Sequence, residues 1–180
     1  MKKLSMAELK RLNIKEFRDS EKNPVIIILD NIRSLYNIGS IFRTSDAFRI
    51  ETLYLCGITG TPPHREIHKA ALGSTESVNW KYAENCLDVI SELKKKNHKI
   101  FAVEQTDNSV FLNDFIFNPE EKCVYVFGNE INGVSDEILS ECDACIEIPQ
   151  FGTKHSFNVA VSAGIVLWQD YLKRAVNKTA

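Results

Sequence analysis

The 180-residue sequence predicts an α/β fold, a parallel sheet covered by helices on both faces. Three observations carry that reading. The strand-like segments are continuous apolar runs, such as Val25-Ile26-Ile27-Ile28-Leu29, which suits strands buried on two sides. Segments of helical period lie between them, the alternation expected of parallel strands joined by crossover helices. Polar and glycine-bearing stretches follow the strands directly, at Asp30-Asn31, Glu104-Gln105-Thr106, Gly128-Asn129-Glu130 and Pro149 to Asn158. Open parallel sheets bind their ligands at that edge.

The elements follow in order. Residues 1–23 mix Leu4, Leu9, Leu12, Ile14 and Phe17 with Lys2, Lys3, Lys10, Arg11, Lys15 and Arg18, the spacing of a short amphipathic helix and the character of a basic arm. Pro24 punctuates the chain, so residues 24–180 are read as the domain proper. Val25–Leu29 is the first strand. Residues 37–48 show helical spacing, with Ile38, Ile41, Phe42 and Ser45 on one side. Thr52–Cys56 is a second strand, Gly57–Pro63 a loop, Glu66–Leu72 a short helix and Val78–Tyr82 a minor strand. Asn85 caps a helix that runs to Lys96, with Leu87, Ile90 and Leu93 as its stripe. Strands follow at Lys99–Val103 and Val124–Phe127. Ser135 caps a helix through Glu141, Ala144–Ile148 is a strand, and Ser156–Val176 is a long helix of small and apolar residues with Ser156 as its cap.

Composition narrows the function classes. Lys and Arg number 22 against 24 Asp and Glu, a formal net of −2, with 44% hydrophobic and 26% charged residues. Such a chain is neither disordered nor a bulk polycation. The average hides an asymmetry: residues 1–18 hold six basic and two acidic side chains, and residues 170–180 hold three basic and one acidic. An apolar run of five residues is far short of a membrane span, and no apolar stretch follows Lys2-Lys3 as a secretory signal requires. Five cysteines without framework spacing fit reduced thiols and a cytoplasmic location. Cys142 and Cys145 form a CxxC, but zinc needs a second pair, and a redox pair opens a helix after a strand; here the pair sits at a helix-to-strand junction. His64 and His68 share a helix face without a third ligand, so no metal is expected.

Three segments carry chemistry. In Asn31 to Thr44, Asn37 and Gly39 suit a helix N-terminus, where free amides attract anions. Arg43, one turn on, reaches the same anion or serves as a surface cation. In Val126 to Gly133, two glycines flank Glu130 just after a buried strand. The segment is a plain strand-to-helix turn, or a mouth where Gly128 admits a ligand and Glu130 accepts an amine or hydroxyl. In Ile148 to Gly164, a polar loop enters a helix of Ala, Ser, Gly and Val, which permits close approach of chain or ligand.

Together these segments resemble the SpoU/TrmH branch of the SPOUT superfamily, the knotted S-adenosylmethionine-dependent RNA methyltransferases. The resemblance rests on Asn31, Asn37, Gly39, Ser40, Arg43 and Thr44; on Gly128, Glu130 and Gly133; on Ile148, Pro149, Gly152 and Ser156 to Val161; and on Ala71-Leu72-Gly73. It covers residues 24 to about 172, and departs from the usual pattern at Phe157, where leucine is usual. It implies a C-terminal deep trefoil knot, an exception to the rule against threading. It implies a homodimer with the last helix in the interface. It implies S-adenosylmethionine held by Val103, Glu104, Gly128, Ile148, Pro149 and Phe157. The implied reaction is methyl transfer to a ribose 2′-hydroxyl, with Arg43 acting on the hydroxyl and Asn37, Glu130, Ser156 and Asn158 orienting it. A guanidinium is a poor base, so Arg43 as phosphate anchor and electrostatic stabiliser is the alternative. Ala102 to Thr106 and Glu147 to Gln150 are similar to the tRNA type that modifies a D-loop guanosine. Ribosomal RNA, the tRNA wobble nucleotide and a non-catalytic RNA-binding role are the competing readings. A Rossmann nucleotide binder is excluded, because no G-x-G-x-x-G follows the first strand.

Overall fold

A computed structural model describes residues 1–5 and 8–177. In chain order its elements are α1 (Ile14–Asp19), β1 (Asn23–Asp30), α2 (Leu35–Ala47), β2 (Ile50–Cys56), α3 (Arg65–Ala71), α4 (Ser74–Ser77), β3 (Trp80–Ala83), α5 (Cys86–Lys95), β4 (Lys99–Val103), β5 (Val110–Phe111), β6 (Cys123–Phe127), α6 (Asp136–Glu141), β7 (Ala144–Glu147) and α7 (Val159–Asn177). The strands form one sheet in the order β3-β2-β1-β6-β4-β7-β5, and every neighbouring pair is parallel. This is the α/β architecture the apolar runs predict.

Alternate residues of β1 feed opposite faces of the sheet. Val25, Ile27 and Leu29 pack with Ile38, Ile41 and Phe42 of α2, Ile67 of α3, and Ala163, Val166 and Leu167 of α7. Ile26 and Ile28 pack with Val89, Ile90 and Leu93 of α5 and Ile138 of α6. Each face needs its own apolar residue, which is why the run is unbroken.

The strand order sets where a ligand can lie. β1, β2 and β3 build outward to one side; β4, β7 and β5 build to the other. β6 enters between β1 and β4, with Leu29 opposite Phe127 and Val126 opposite Ala102. The switch point therefore falls at β1, β6 and β4, and the loops after those strands share one edge. α7 crosses back over the sheet and is fastened to β6. Tyr125 donates its hydroxyl to Asp170 at 2.8 Å, and Arg174 donates to Asp170 at 2.7 and 3.1 Å and to the carbonyls of Pro119 and Glu121. Asp170 and Arg174 are buried, and a buried pair persists only when its remaining donors and acceptors are satisfied as here.

Several boundaries differ from the sequence reading. Among the described residues of the arm only Ile14–Asp19 is helical, started by an Asn13–Glu16 capping box. Phe17 is 6% exposed, whereas Leu4, Leu9, Leu12 and Ile14 face solvent; Met6 and Ala7, like Lys178 of the basic C-terminus, lie outside the described residues. Helix α2 begins at Leu35 because Ser34 caps it, accepting from the Asn37 amide, so Asn37 sits in the first turn and Gly39 lies inside the helix. A Cβ at Gly39 would strike Ala70 and the Ile67 carbonyl of α3, so its role is helix crossing. α3 stops at Ala71 because Leu72 turns left-handed, with φ of 50°. The short α4 and the two-residue β5 were not expected, and the edge strand lies at Trp80–Ala83, since Val78 turns inward to close α4. The last helix starts at Val159 rather than Ser156. Asn158 occupies the capping position, its Oδ1 accepting from the Ala160 amide at 2.9 Å. Cys142 and Cys145 do bridge α6 and β7, and burial pushes the Cys142 thiol up to about 12. No helix among the described residues is long and apolar enough to cross a membrane, and none of their His, Cys, Asp and Glu side chains form a metal-binding group of three. His64 instead caps α3 through Nδ1.

Candidate active site

The carboxyl ends of β4, β6 and β7, with the loop from Ile148 to Asn158, enclose a cleft of about 530 Å³. This is the volume of a small-molecule site. Its mouth is braced by a chain of side chains from three distant parts of the sequence. Glu130 follows β6 and reaches the N-terminus of α2. Its Oε1 accepts from Asn37 Nδ2 at 3.0 Å and from the Ser34 amide at 3.3 Å; its Oε2 accepts from the Arg33 amide at 3.2 Å. Asn37 Oδ1 in turn accepts from Asn158 Nδ2 at 3.0 Å. Burial alone would raise the Glu130 pKa, but hydrogen bonds from its own backbone, Arg33, Asn37 and Ser34 outweigh it and hold the carboxyl below its ordinary value. The positive end of α2 favours the same ionised form. Glu130 is thus a fixed anion, a poor proton acceptor and a good strut.

A second carboxylate shapes the floor. Glu104 Oε2 accepts from the Val134 amide at 3.0 Å and Oε1 from the Gln105 amide at 2.9 Å, tying the end of β4 to the loop after β6. Gly133, with φ of 67°, presses against that carboxylate, and no side chain fits there. Gly128 was expected to admit a ligand. Its bare Cα faces the backbone of Gly133 and Val134, so the missing side chain serves the chain's own turn while Gly128 still lines the cleft.

The structure brings most of the sequence-predicted residues together. Val103, Glu104, Gly128, Ile148 and Phe157 line the cleft, as do Glu130, Ser156 and Asn158. Asn37 joins through its hydrogen bonds. Pro149 lies between lining residues without being one. Arg43 is apart: it is exposed and lines a separate groove of about 1230 Å³ with Lys10, Arg11, Arg49, Trp168 and Tyr171. Neither its guanidinium nor the Ser156 hydroxyl has a partner among the described residues. Sequence reasoning missed Ser34, whose spacing three before Asn37 is a capping signal. It gave no role to Gln105 and Gln150, which line the cleft, although both lie within segments it had singled out.

The lining has a definite electrostatic character. Glu104, Glu130 and Glu147 are present, and neither Lys nor Arg is. Apolar walls from Phe127, Ile146 and Phe157 together with three carboxylates suit a positively charged ligand that carries a flat apolar part. A sulfonium methyl donor has that chemistry, so the residues fit the group the resemblance implies.

The model of the SpoU rRNA methylase family matches residues 24–168. The chain is 32% identical over 172 residues to a tRNA (guanosine(18)-2'-O)-methyltransferase of Aquifex aeolicus, covering 92% of this chain and 76% of that one. It is 29% identical to a 23S rRNA (guanosine-2'-O-)-methyltransferase of Neisseria meningitidis over 153 residues, 85% of this chain but 60% of the relative's length. Among solved structures, the A. aeolicus TrmH/SpoU tRNA modifying enzyme superposes with a TM-score of 0.81 at 28% identity, covering 92% of this chain and 84% of that one. An AdoMet-bound rRNA methyltransferase from Sinorhizobium meliloti superposes with a TM-score of 0.77 at 28% identity, covering 87% and 59%. With its motifs at the ends of the right strands and the family model spanning most of its length, the chain belongs to the SpoU rRNA methylase family.

Proposed function

We propose that this protein transfers a methyl group from S-adenosylmethionine to a ribose 2′-hydroxyl of RNA, with a tRNA guanosine of the D-loop as the favoured target. The observation that carries the reading is the cleft itself: anionic, partly apolar, at the switch point of the sheet, and braced by Asn37, Glu130 and Asn158. Similarity to the A. aeolicus tRNA enzyme over nearly the whole chain supports tRNA; similarity to an AdoMet-bound relative supports the donor.

The donor supplies an electrophilic methyl on sulfur. Val103, Glu104, Gly128, Ile148, Pro149 and Phe157 would hold it, the first four from strand ends that are already rigid. When bound, it would give that methyl to the ribose oxygen and leave as the neutral thioether, while the hydroxyl proton would pass to solvent or a nearby phosphate. Glu130 does not take that proton, because its lone pairs are occupied and its basicity is lowered. The chain's own contribution is orientation by Asn37, Glu130 and Asn158, a free hydroxyl at Ser156, and the charge of Arg43 on the target's phosphate and developing alkoxide.

Arg43 lines a groove separate from the cleft of its own chain, together with Trp168 and Tyr171 of α7, which are exposed. This supports a homodimer through α7 in which each copy completes the other's site. The return of α7 across the sheet, and the insertion of β6 between β1 and β4, support a knotted C-terminal region. A basic arm over residues 1–23 before a domain at 24–180, a cytoplasmic location and independence from metal belong to the same proposal.

The test is methyl transfer from labelled donor to unmodified total tRNA and to ribosomal RNA, followed by nucleoside mapping. Label in 2′-O-methylguanosine of tRNA is expected. Label confined to ribosomal RNA or to the wobble nucleotide would move the substrate; no label in any RNA would leave a non-catalytic RNA-binding protein.

A further inference from the structure

The segment from Pro149 to Phe157 forms one wall of the cleft, and it is almost without internal support. Among the described residues, no backbone–backbone hydrogen bond involves any of these nine. Phe151, Lys154, Ser156 and Phe157 are exposed. Two side-chain contacts hold the segment, and both end on one atom. Gln105 Nε2 donates to the His155 carbonyl at 3.0 Å, and Gln150 Nε2 donates to the same carbonyl at 3.1 Å. Their origins differ: Gln105 leaves the end of β4, and Gln150 follows β7. The polarity of both contacts is fixed, since a carbonyl only accepts and each amide must turn its NH2 toward it.

The consequence lies three residues on. Asn158 is bound to Asn37 at 3.0 Å. The span between His155 and Asn158 is therefore pinned at both ends, and Ser156 and Phe157, which line the cleft, are set between the two anchors. A loop of nine residues free of backbone hydrogen bonds samples many conformations unless something outside it selects one. Here one selector is the Gln105 carboxamide from outside the loop, and the second is the Gln150 carboxamide at the loop's own start. We propose that Gln105 and Gln150 are positioning residues that pre-set the methyl-donor wall of the cleft through their shared grip on the His155 carbonyl. The proposal rests on the reading of the cleft as the donor site and adds to it the residues that keep it open in the absence of donor.

Two donors on one acceptor are partly redundant, so loss of one is tolerated better than loss of both. Replacing Gln by Met keeps length and neutrality and removes the donor. Gln105→Met and Gln150→Met singly are expected to weaken S-adenosylmethionine binding about threefold, and the double variant at least tenfold, in line with neutral hydrogen bonds. At saturating donor, kcat should fall less than threefold, so the loss appears in the donor KM. Without donor, trypsin should cut after Lys154 markedly faster in the double variant than in the wild type, while its thermal midpoint stays within a few degrees. A double variant that binds donor within twofold of wild type, or is cut no faster after Lys154, overturns the proposal. If the double variant does not fold, the singles decide by the same two measurements. Failure of the wild type to bind the donor would instead overturn the reading of the cleft, and the cleavage rates would still decide whether the two amides hold the loop.

Discussion

Arg43 and Glu130 illustrate how differently two charged residues of one motif set are used. Arg43 has no partner among the described residues and is exposed, so its removal should leave the fold and the donor cleft intact. Arg43→Ala is expected to lower methyl transfer by at least about a hundredfold, the scale of losing a charge that stabilises a developing anion. Donor affinity, measured by calorimetry, should stay within twofold; near-normal turnover would remove Arg43 from the chemistry. Glu130 is the opposite case, because its carboxylate is spent on Arg33, Ser34 and Asn37. Its folded pKa is depressed, so its stabilising contribution is complete above the unfolded carboxylate pKa of about 4.3 and is lost as pH falls through the folded value. Wild type should therefore melt above Glu130→Gln by a constant margin from pH 6 to 8, and the margin should close in increasingly acid solution. A margin unchanged down to pH 3 would mean that the ionised form is not what the mouth requires. The residue types of the site were legible in the sequence, since Asn37, Glu130 and Asn158 all follow or open recognisable elements. Their mutual bonding was not, because residues 93 and 121 positions apart meet only through the strand order.

At the scale of elements, the strands were read more accurately than the helix ends. Six of the seven strands are marked in the sequence, the edge strand β3 only as a minor one and the rest as strand-like runs, because both faces of the sheet are covered. β5 has two residues, and neither periodicity nor composition can mark so short a strand. Helix starts were displaced wherever a side chain other than the expected one took the cap: Ser34 ahead of Asn37, and Asn158 in place of Ser156. Small residues were also misassigned in part. The helix of Ala, Ser and Gly that opens α7 suggests close packing along its length; Ala163 is indeed buried, yet space is open beside Gly164. The close approach lies instead between α2 and α3 at Gly39. Gly39→Ala should therefore push the two helices apart and destabilise the protein by about 1–3 kcal/mol, as overpacking does. Gly164→Ala, at an open helical position, should be neutral or slightly stabilising. Urea denaturation of the pair distinguishes crowding from helix propensity, since propensity alone would favour Ala at both sites.

For the whole molecule the proposed function raises the question of how a chain of net charge −2 would hold a polyanion. The cleft lining offers neither Lys nor Arg, so phosphate contacts would come from outside it. The groove beside α2 collects Lys10, Arg11, Arg43 and Arg49, and the arm adds Lys2 and Lys3. The arm divides at Asn13. Beyond it, Phe17 is buried and Arg18 donates to the Glu76 carbonyl, so α1 is part of the folded body. Before it, Leu4, Leu9 and Leu12 are exposed, and the described basic side chains make one exposed ion pair, Lys2 with Glu8, which contributes little. Deleting residues 1–12 should therefore spare the fold, whereas a deletion through Arg18 would remove a core side chain as well. The shorter deletion removes four basic residues and one acidic one. RNA affinity should fall, and the slope of log K against log salt should become shallower by up to about three per chain, since each phosphate contact releases roughly one counterion. Donor affinity should not change, because the arm contributes nothing to the cleft. An unchanged salt slope would place the RNA on the body alone, and a parallel loss of donor binding would make residues 1–12 a structural part of the domain.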